Sequence, residues 1–142
     1  MIYLSLLIIL SYLIGAIPFA LVIGKVFKGK DIRKYGSGNL GSTNAFRTLG
    51  IPYGILVQLL DIGKGLFVVI VLANLMYDNL PFSNTTPFDD LTLVKIIAGV
   101  SAVLGHTFSV FAGFRGGKGI NTALGMLISL SPVEASVSAG FF

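Results

Sequence analysis

The sequence predicts an all-α membrane protein with about four to five membrane helices, built as a single domain over residues 1–142. Hydrophobic residues make up 54% of the chain and charged residues only 11%, whereas soluble domains typically carry about 25% charged residues. Residues 1–24 contain no charged side chain, and residues 96–114 contain none apart from the titratable His106. Because a helix needs about 20 apolar residues to cross the hydrocarbon core, both stretches can span a membrane.

The composition also excludes several classes of site. The chain contains no cysteine, which rules out disulfides and thiolate metal sites. There is no metal-ligand spacing and no Ser-His-Asp order with elbow glycines, so we expect no metal and no cofactor. In so apolar a chain, the net charge of +4 indicates basic cytoplasmic loops, and we expect no nucleic-acid partner.

The first membrane helix is predicted over residues 2–27. Gly15 and Pro18 interrupt it, which is more common in membrane helices than in soluble ones. The loop that follows, residues 28–50, is rich in glycine and holds five Lys or Arg residues against one acid, Asp31.

The second and third membrane helices are predicted over residues 52–77 and 93–111. The loop between them, residues 78–92, contains three acids and no Lys or Arg, whereas the short loop 112–118 carries two basic residues. Lys and Arg concentrate in cytoplasmic loops. We therefore expect the first and third loops inside the cell, and the second loop and the N-terminus outside.

The end of the chain predicts two further helices. Residues 119–130 form a short helix of about 18 Å at 1.5 Å per residue. Ser131, Pro132 and Glu134 then make a helix-start pattern, so a fifth helix is expected from Pro132 to Phe142. That helix is too short to span a membrane. We interpret the chain as the N-terminal part of a longer protein, cut inside its fifth helix.

The first motif with chemical potential is the run 36–44, GSGNLGSTN, followed by Arg47. It contains a literal G-x-G-x-x-G, but no strand precedes it, so a dinucleotide site is rejected. Glycines let backbone N–H groups approach an oxyanion closely, and an arginine fork suits phosphate. The alternative is a tight polar turn between two membrane helices.

The second motif is the run 113–119, GFRGGKG, before Ile120, Asn121 and Thr122. It differs from a Walker loop because Gly follows Lys118. Its place at the start of a helix favours an anion, since free N–H groups and the positive end of the dipole lie there. The alternative is a positive-inside topology signal with flexible glycines.

Two further features lie within the predicted helices. Asp61 and Lys64 are three residues apart on one helix face, and charges within a membrane usually face a bundle interior or a wet cavity. They form a structural ion pair, part of a site, or both. His106 has no carboxylate near it in sequence, and we interpret it as a hydrogen-bonded residue that holds a loop rather than as a general base.

Together these runs resemble one known family, the acyl-phosphate-dependent glycerol-3-phosphate acyltransferases, or PlsY family, of bacteria. Residues 37–44 with Arg47 resemble the first family motif, and residues 61–65 the segment after it. Residues 105–108 and 116–122 resemble the second motif and its lead-in. The chain departs from the usual residues at four positions. These departures are Ser42, Ser109, Arg115 and Asn121.

The resemblance implies an enzyme of phospholipid synthesis in the bacterial inner membrane. It would transfer a fatty acyl group from acyl phosphate to glycerol 3-phosphate, with the second motif on glycerol 3-phosphate and the first on acyl phosphate. The implied catalytic residues are Ser37, Asn39 and Lys118. The implied substrate-binding residues are Gly38, Gly41, Thr43, Asn44, Arg47, Asp61, Lys64, His106, Gly116, Gly117, Gly119 and Thr122.

The resemblance also implies a third motif with serine, histidine and acidic residues, which these 142 residues do not contain. The chain alone is therefore expected to lack part of the site. The proton acceptor is expected to be a substrate phosphate, because no compelling protein base is visible. An alternative function is a non-catalytic membrane anion-binding or transport protein, but only Asp61 and Lys64 would qualify for a polar path through the membrane.

Overall fold

The protein is a bundle of α-helices. The computed structural model describes residues 2–80 and 85–131, and no β-strand occurs within these two ranges. The α-helices are α1 (Ile2–Gly15), α2 (Phe19–Lys28), α3 (Ser42–Leu49), α4 (Ile51–Phe67), α5 (Ala73–Tyr77), α6 (Asp90–Thr107) and α7 (Ile120–Leu130). Short 3-10 turns span Ile32–Lys34 and Val110–Ala112, and a π-helical segment spans Val68–Leu72.

Three helical segments of the described ranges are long and apolar enough to cross a membrane, namely Ile2–Lys28, Ile51–Tyr77 and Asp90–Ala112. They confirm the three predicted spans to within a few residues. The shorter helix predicted after the third span is confirmed as Ile120–Leu130. The predicted fifth helix, residues 132–142, lies outside the described residues.

The first span is broken where Gly15 and Pro18 predict it, between α1 and α2. Proline has no N–H to continue the helix, and the carbonyl groups between the end of α1 at Gly15 and the start of α2 at Phe19 lack regular helical partners. Two distant side chains replace those partners. Ser109 Oγ donates to the Ala16 carbonyl oxygen at 2.5 Å, and Lys64 Nζ donates to the Ile17 carbonyl oxygen at 3.1 Å.

The second span changes its hydrogen-bonding pattern partway along. It is α-helical to Phe67, π-helical over Val68–Leu72 and α-helical again from Ala73. π-helical turns are rare and occur mostly as single turns inside α-helices.

Glycines allow close contact at two helix crossings. A Cβ on Gly15 would overlap the backbone of Ala102 in α6, and a Cβ on Gly65 would overlap the backbone of Thr122 in α7. Small residues at helix crossings are typical of membrane bundles, where close backbone approach maximises van der Waals contact. The α4–α7 crossing places the first turn of α7 against α4, because Thr122 lies in that turn.

Two apolar clusters hold the bundle together. The first packs α2, the loop after it, α3, α4 and the 3-10 turn Val110–Ala112, and consists of Ala20, Leu21, Ile23, Ile32, Leu40, Ala45, Leu49, Val57 and Ala112. The second packs α1, the π-helical segment, α5 and α6, and consists of Leu7, Val68, Ala73, Val94, Ala98 and Ala102. The first cluster supports the loop that carries the first motif, because Ile32 and Leu40 anchor that loop in it.

Candidate active site

The first loop is folded around the side chain of Asn44, which is buried. The amide nitrogen of Asn44 donates to the carbonyl oxygens of Tyr35 and Asn39 at 3.1 and 3.0 Å. Its Oδ1 accepts from the backbone N–H of Ser37 at 3.1 Å. Both ends of the amide are therefore committed to the backbone, so Asn44 holds the shape of the loop.

Ser37 and Asn39 keep donors available within that loop. Ser37 Oγ accepts from the backbone N–H of Asn39 at 3.4 Å, and Asn39 Oδ1 accepts from the N–H of Gly41 at 2.9 Å. These contacts use the oxygen atoms of both side chains. Among the described residues, nothing accepts from the Ser37 hydroxyl or from the Asn39 NH2 group, so both can donate to a ligand.

The second loop turns back under the end of α6. The N–H of Gly116 donates to the Thr107 carbonyl oxygen, and the N–H of Gly117 donates to that of His106, both at 3.1 Å. The N–H of Leu40 reaches the Gly116 carbonyl at 3.4 Å, which joins the two loops. The Gly116 and Gly117 N–H groups are therefore used to cap α6, and they position the loop instead of binding an anion.

Two helices begin at the same place. α3 begins after Gly41 and α7 after Gly119, and neither has a side-chain cap at its N-terminus. Asn121 Nδ2 donates to Ser42 Oγ at 2.9 Å and bridges their first turns. Uncapped N-termini present free N–H groups and the positive ends of two helix dipoles.

These first turns line one cavity of about 360 Å³. Arg47 and Lys118 add two cationic side chains, and the described lining includes no Asp or Glu. A cavity with this charge and these donors suits a phosphate group. Its lining residues are Ser37, Asn39, Gly41, Ser42, Thr43, Asn44, Arg47, His106, Lys118, Gly119, Ile120 and Asn121.

A second polar cavity of about 540 Å³ shares Ser37 with the first, and Lys34 and Arg115 help to line it. Arg33 also lines it, but its guanidinium donates to both carboxylate oxygens of Asp31, at 2.9 and 2.7 Å. That pairing holds the pKa of Asp31 well below its usual range. Arg33 is therefore largely neutralised, and Lys34 and Arg115 provide the positive charge of this cavity.

A buried polar cluster lies behind the first cavity. Lys64 Nζ is 2.9 Å from Asp61 Oδ1 and 2.8 Å from Nδ1 of His106. All three side chains are buried, yet His106 also lines the cavity. Within the described ranges, no group of three or more His, Cys, Asp or Glu side chains is arranged to hold a metal ion.

Comparisons with known proteins show the family of this chain. A family model described as glycerol-3-phosphate acyltransferase matches residues 5–142. The chain belongs to this acyltransferase family. It is 49% identical over 132 residues to a glycerol-3-phosphate acyltransferase of Chlorobium limicola, and 46% identical over 135 residues to that of Chlorobaculum tepidum.

The chain covers only part of the length of these acyltransferases. The match to the Chlorobium limicola protein covers 93% of this chain and 55% of the relative, and the match to the Chlorobaculum tepidum protein covers 95% and 57%. The chain therefore spans little more than half the length of the curated relatives that it matches.

Solved structures of an integral membrane glycerol 3-phosphate acyltransferase, PlsY (YgiH), are similar to this chain. The glycerol 3-phosphate form is 39% identical with a TM-score of 0.78, and the match covers 96% of this chain and 62% of the PlsY chain. The lysophosphatidic acid form is 38% identical with a TM-score of 0.76, and the match covers 96% of this chain and 61% of the PlsY chain. The fold class and the membrane bundle are thereby confirmed.

The structure brings most of the predicted acyltransferase residues to one cavity, as the shared side of the two loops predicts. Nine of them line it, namely Ser37, Asn39, Gly41, Thr43, Asn44, Arg47, His106, Lys118 and Gly119. Gly38 lines the second cavity instead. Both glycine-rich loops therefore contribute residues to one cavity, and their role in binding an anion stays a prediction.

The other predicted residues lie around the cavity. Gly116 and Gly117 cap α6, and Asp61 and Lys64 lie behind His106. Thr122 is fully buried, on the part of α7 that packs against Gly65. These five residues lie near the cavity without lining it.

Three lining residues were missed by the sequence analysis as members of the site, namely Ser42, Ile120 and Asn121. Ser42 and Asn121 were recognised only as departures from the usual family residues. They hydrogen-bond to each other across the two loops. Their joint departure was the available signal, but 78 intervening residues hide their contact.

Proposed function

We propose that this protein transfers a fatty acyl group from an acyl phosphate to glycerol 3-phosphate, forming lysophosphatidic acid and inorganic phosphate. The observation that carries the proposal is the single cavity that unites two uncapped helix N-termini with Arg47 and Lys118. Both substrates carry a phosphate, and this cavity is built for anionic oxygens. Membership of the acyltransferase family supports the same reaction.

The second loop would bind glycerol 3-phosphate. Lys118 directly precedes Gly119 and the first turn of α7, so one phosphate can contact its ammonium and free backbone N–H groups together. A compact ammonium between close backbones suits this place better than an arginine fork.

The first loop would hold the acyl phosphate. The free Ser37 hydroxyl and Asn39 NH2 group would donate to the oxyanion that develops on the acyl carbonyl in the transition state. The glycerol hydroxyl oxygen forms the new bond to the acyl carbon, and the bond from that carbon to the phosphate oxygen breaks. The hydroxyl proton leaves with the departing phosphate. An acyl phosphate is already activated, so no nucleophilic side chain is needed.

The membrane setting suits the acyl chain. The three membrane-spanning segments leave many large apolar side chains exposed, among them Ile9, Leu59 and Leu75. We propose that these faces border lipid in the bacterial inner membrane and that the two loops face the cytoplasm, because the first loop is basic and the loop between the second and third spans is acidic.

The test is formation of lysophosphatidic acid from labelled glycerol 3-phosphate and palmitoyl phosphate by protein reconstituted in lipid vesicles. It uses this chain alone and this chain joined to the remaining part of the Chlorobium limicola relative. We expect product from the joined chain and its loss in the paired Ser37→Ala, Asn39→Ala variant. Vesicles that accumulate phosphate without forming product would instead support the transport alternative.

A further inference from the structure

The buried cluster behind the cavity contains a charge arrangement that fixes the state of a histidine. Lys64 has three ammonium hydrogens and no acceptor. Three atoms surround its Nζ, namely the Ile17 carbonyl oxygen at 3.1 Å, Asp61 Oδ1 at 2.9 Å and His106 Nδ1 at 2.8 Å. The Ile17 carbonyl oxygen and His106 Nδ1 each accept a hydrogen bond from the ammonium, and Asp61 Oδ1 forms an ion pair with it.

This arrangement determines which ring nitrogen of His106 carries the proton. A nitrogen that accepts a hydrogen bond from an ammonium cannot itself bear a hydrogen, so Nδ1 is unprotonated. Asp61 Oδ1 is 3.5 Å from the same Nδ1, farther than Lys64, and it pairs with the lysine instead. A neutral imidazole carries one hydrogen, which must then lie on Nε2.

The free edge of the ring is directed to the second loop. A Cβ on Gly117 would overlap Nε2 of His106, so glycine at that position leaves room beside the nitrogen. No described residue accepts a hydrogen bond from Nε2, although His106 lines the same cavity as Lys118. The cluster therefore leaves one unused N–H donor on a residue that lines the cavity.

We propose that the buried Asp61–Lys64 pair fixes His106 as a neutral imidazole whose Nε2–H donates to an anionic oxygen of the ligand in the cavity. His106 is then a donor that contacts substrate, and Lys64 is a positioning residue that acts through it. Since Nε2 already carries a proton, His106 does not remove the proton of the glycerol hydroxyl. The inference rests on the proposed function only for the identity of the ligand.

The first experiment reads the ring directly. His106 is the single histidine of the 142 residues, so ¹⁵N-histidine labelling of this chain in lipid nanodiscs gives one unambiguous pair of ring signals. We expect Nδ1 unprotonated and Nε2 protonated at neutral pH. A protonated Nδ1 would overturn the proposal. Because no turnover is measured, this result is independent of the proposed reaction.

Removing the lysine provides the matched comparison. Lys64→Met should leave Nδ1 facing only the Asp61 carboxylate and therefore place a proton on Nδ1, whereas Lys25→Met, which removes an exposed ammonium from α2, should leave the ring signals unchanged. If Lys64→Met fails to fold, the signals of the unmodified chain and their response to inorganic phosphate decide the question. Saturating phosphate should shift the Nε2–H signal, and an unchanged signal would contradict the donor role.

A pair of substitutions separates a donor from a purely structural histidine. His106→Asn keeps an acceptor for Lys64 but places no group near Nε2, whereas His106→Gln extends an NH2 group toward that position. In the chain joined to the Chlorobium limicola segment, we expect His106→Asn to raise KM for glycerol 3-phosphate roughly tenfold or more, since the lost partner is charged. His106→Gln should lose less. The opposite order would reduce His106 to a structural residue.

Discussion

Lys118 illustrates how one side chain gains its proposed role from its place at a helix start. It is exposed, lines the cavity and directly precedes the uncapped first turn of α7. Removing a charge-assisted hydrogen bond costs about 1.5–3 kcal/mol. We therefore expect Lys118→Ala to lower kcat/KM for glycerol 3-phosphate by roughly ten- to a hundredfold, with a much smaller effect on the dependence on acyl phosphate.

Steady-state kinetics with each substrate varied in turn measure this effect in the joined chain. Lys28→Ala is a suitable control, because the Lys28 ammonium lies over the Tyr53 ring and Lys28 belongs to neither glycine-rich run, 36–44 or 113–119. Lys118→Arg should rescue poorly, since a planar fork does not replace a compact charge. An unchanged dependence on glycerol 3-phosphate in Lys118→Ala would leave the lysine as a topology signal alone.

The Ser42–Asn121 hydrogen bond links the two loops directly, and its contribution to the free energy of unfolding can be measured separately. A neutral hydrogen bond contributes about 0.5–1.5 kcal/mol. In a double-mutant cycle with Ser42→Ala and Asn121→Ala, we expect a coupling free energy of that size in thermal unfolding, because either single change already removes the bond. Thr43→Ala combined with Asn121→Ala is the control and should be additive, since the bond is made by Ser42.

At the level of residues, the sequence predicted which side chains belong to the candidate site better than it predicted what each side chain does there. A motif is recognised from residues that are close along the chain, so Ser37, Asn39 and Lys118 could be proposed from their motifs. The role of Asn44 depends on backbone carbonyls up to 12 residues away. The sequence shows no carboxylate near His106 along the chain, because its neighbour Asp61 lies on another helix.

At the level of elements, the α4–α7 crossing positions the cavity. A Cβ on Gly65 would overlap the backbone of Thr122, while Gly63 has open space around it. We expect Gly65→Ala to destabilise the bundle by about 1–3 kcal/mol, the usual cost of overpacking, and to lower the thermal unfolding midpoint. Gly63→Ala, two residues away in α4, should leave that midpoint nearly unchanged. Equal effects would show that the crossing is not close-packed.

The helix elements themselves were largely predictable, since their signals are local. The apolar lengths predicted the spans, and Gly15 with Pro18 predicted the break in the first one. The sequence could not show how the break is stabilised, because the partners of the freed carbonyls are Lys64 and Ser109, which lie 47 and 93 residues away.

For the whole molecule, the absence of cysteine from the sequence makes the orientation straightforward to test. Asn79→Cys and Lys34→Cys introduce single thiols at exposed positions on opposite sides of the second span. We expect a membrane-impermeant maleimide to label Asn79→Cys in intact cells and Lys34→Cys only after permeabilisation, because basic loops stay inside. The reverse pattern would place the cavity outside the cell.

The meeting of the two loops could be predicted from topology alone. Two further spans separate the first loop from the second, so both must lie on one side of a membrane. Their exact fit could not be predicted, because it depends on the Leu40–Gly116 hydrogen bond and on the bridge between Ser42 and Asn121. Whether residues 132–142 form a fifth helix remains a prediction, since they lie outside the described residues.

The π-helical segment Val68–Leu72 makes the second span tolerant of a change in length at one place. A π turn accommodates one more residue than an α turn. Deleting Ile70 should therefore restore regular α-helical geometry, while Asp61 and Ala73 keep their orientations relative to each other. Deleting Ile55 from α4 would instead rotate everything after it by about 100° relative to the first loop. We expect deletion of Ile70 to preserve folding, measured by thermal unfolding, and deletion of Ile55 to abolish it. Natural variants whose second span is one residue longer or shorter should therefore carry that insertion or deletion between Val68 and Leu72.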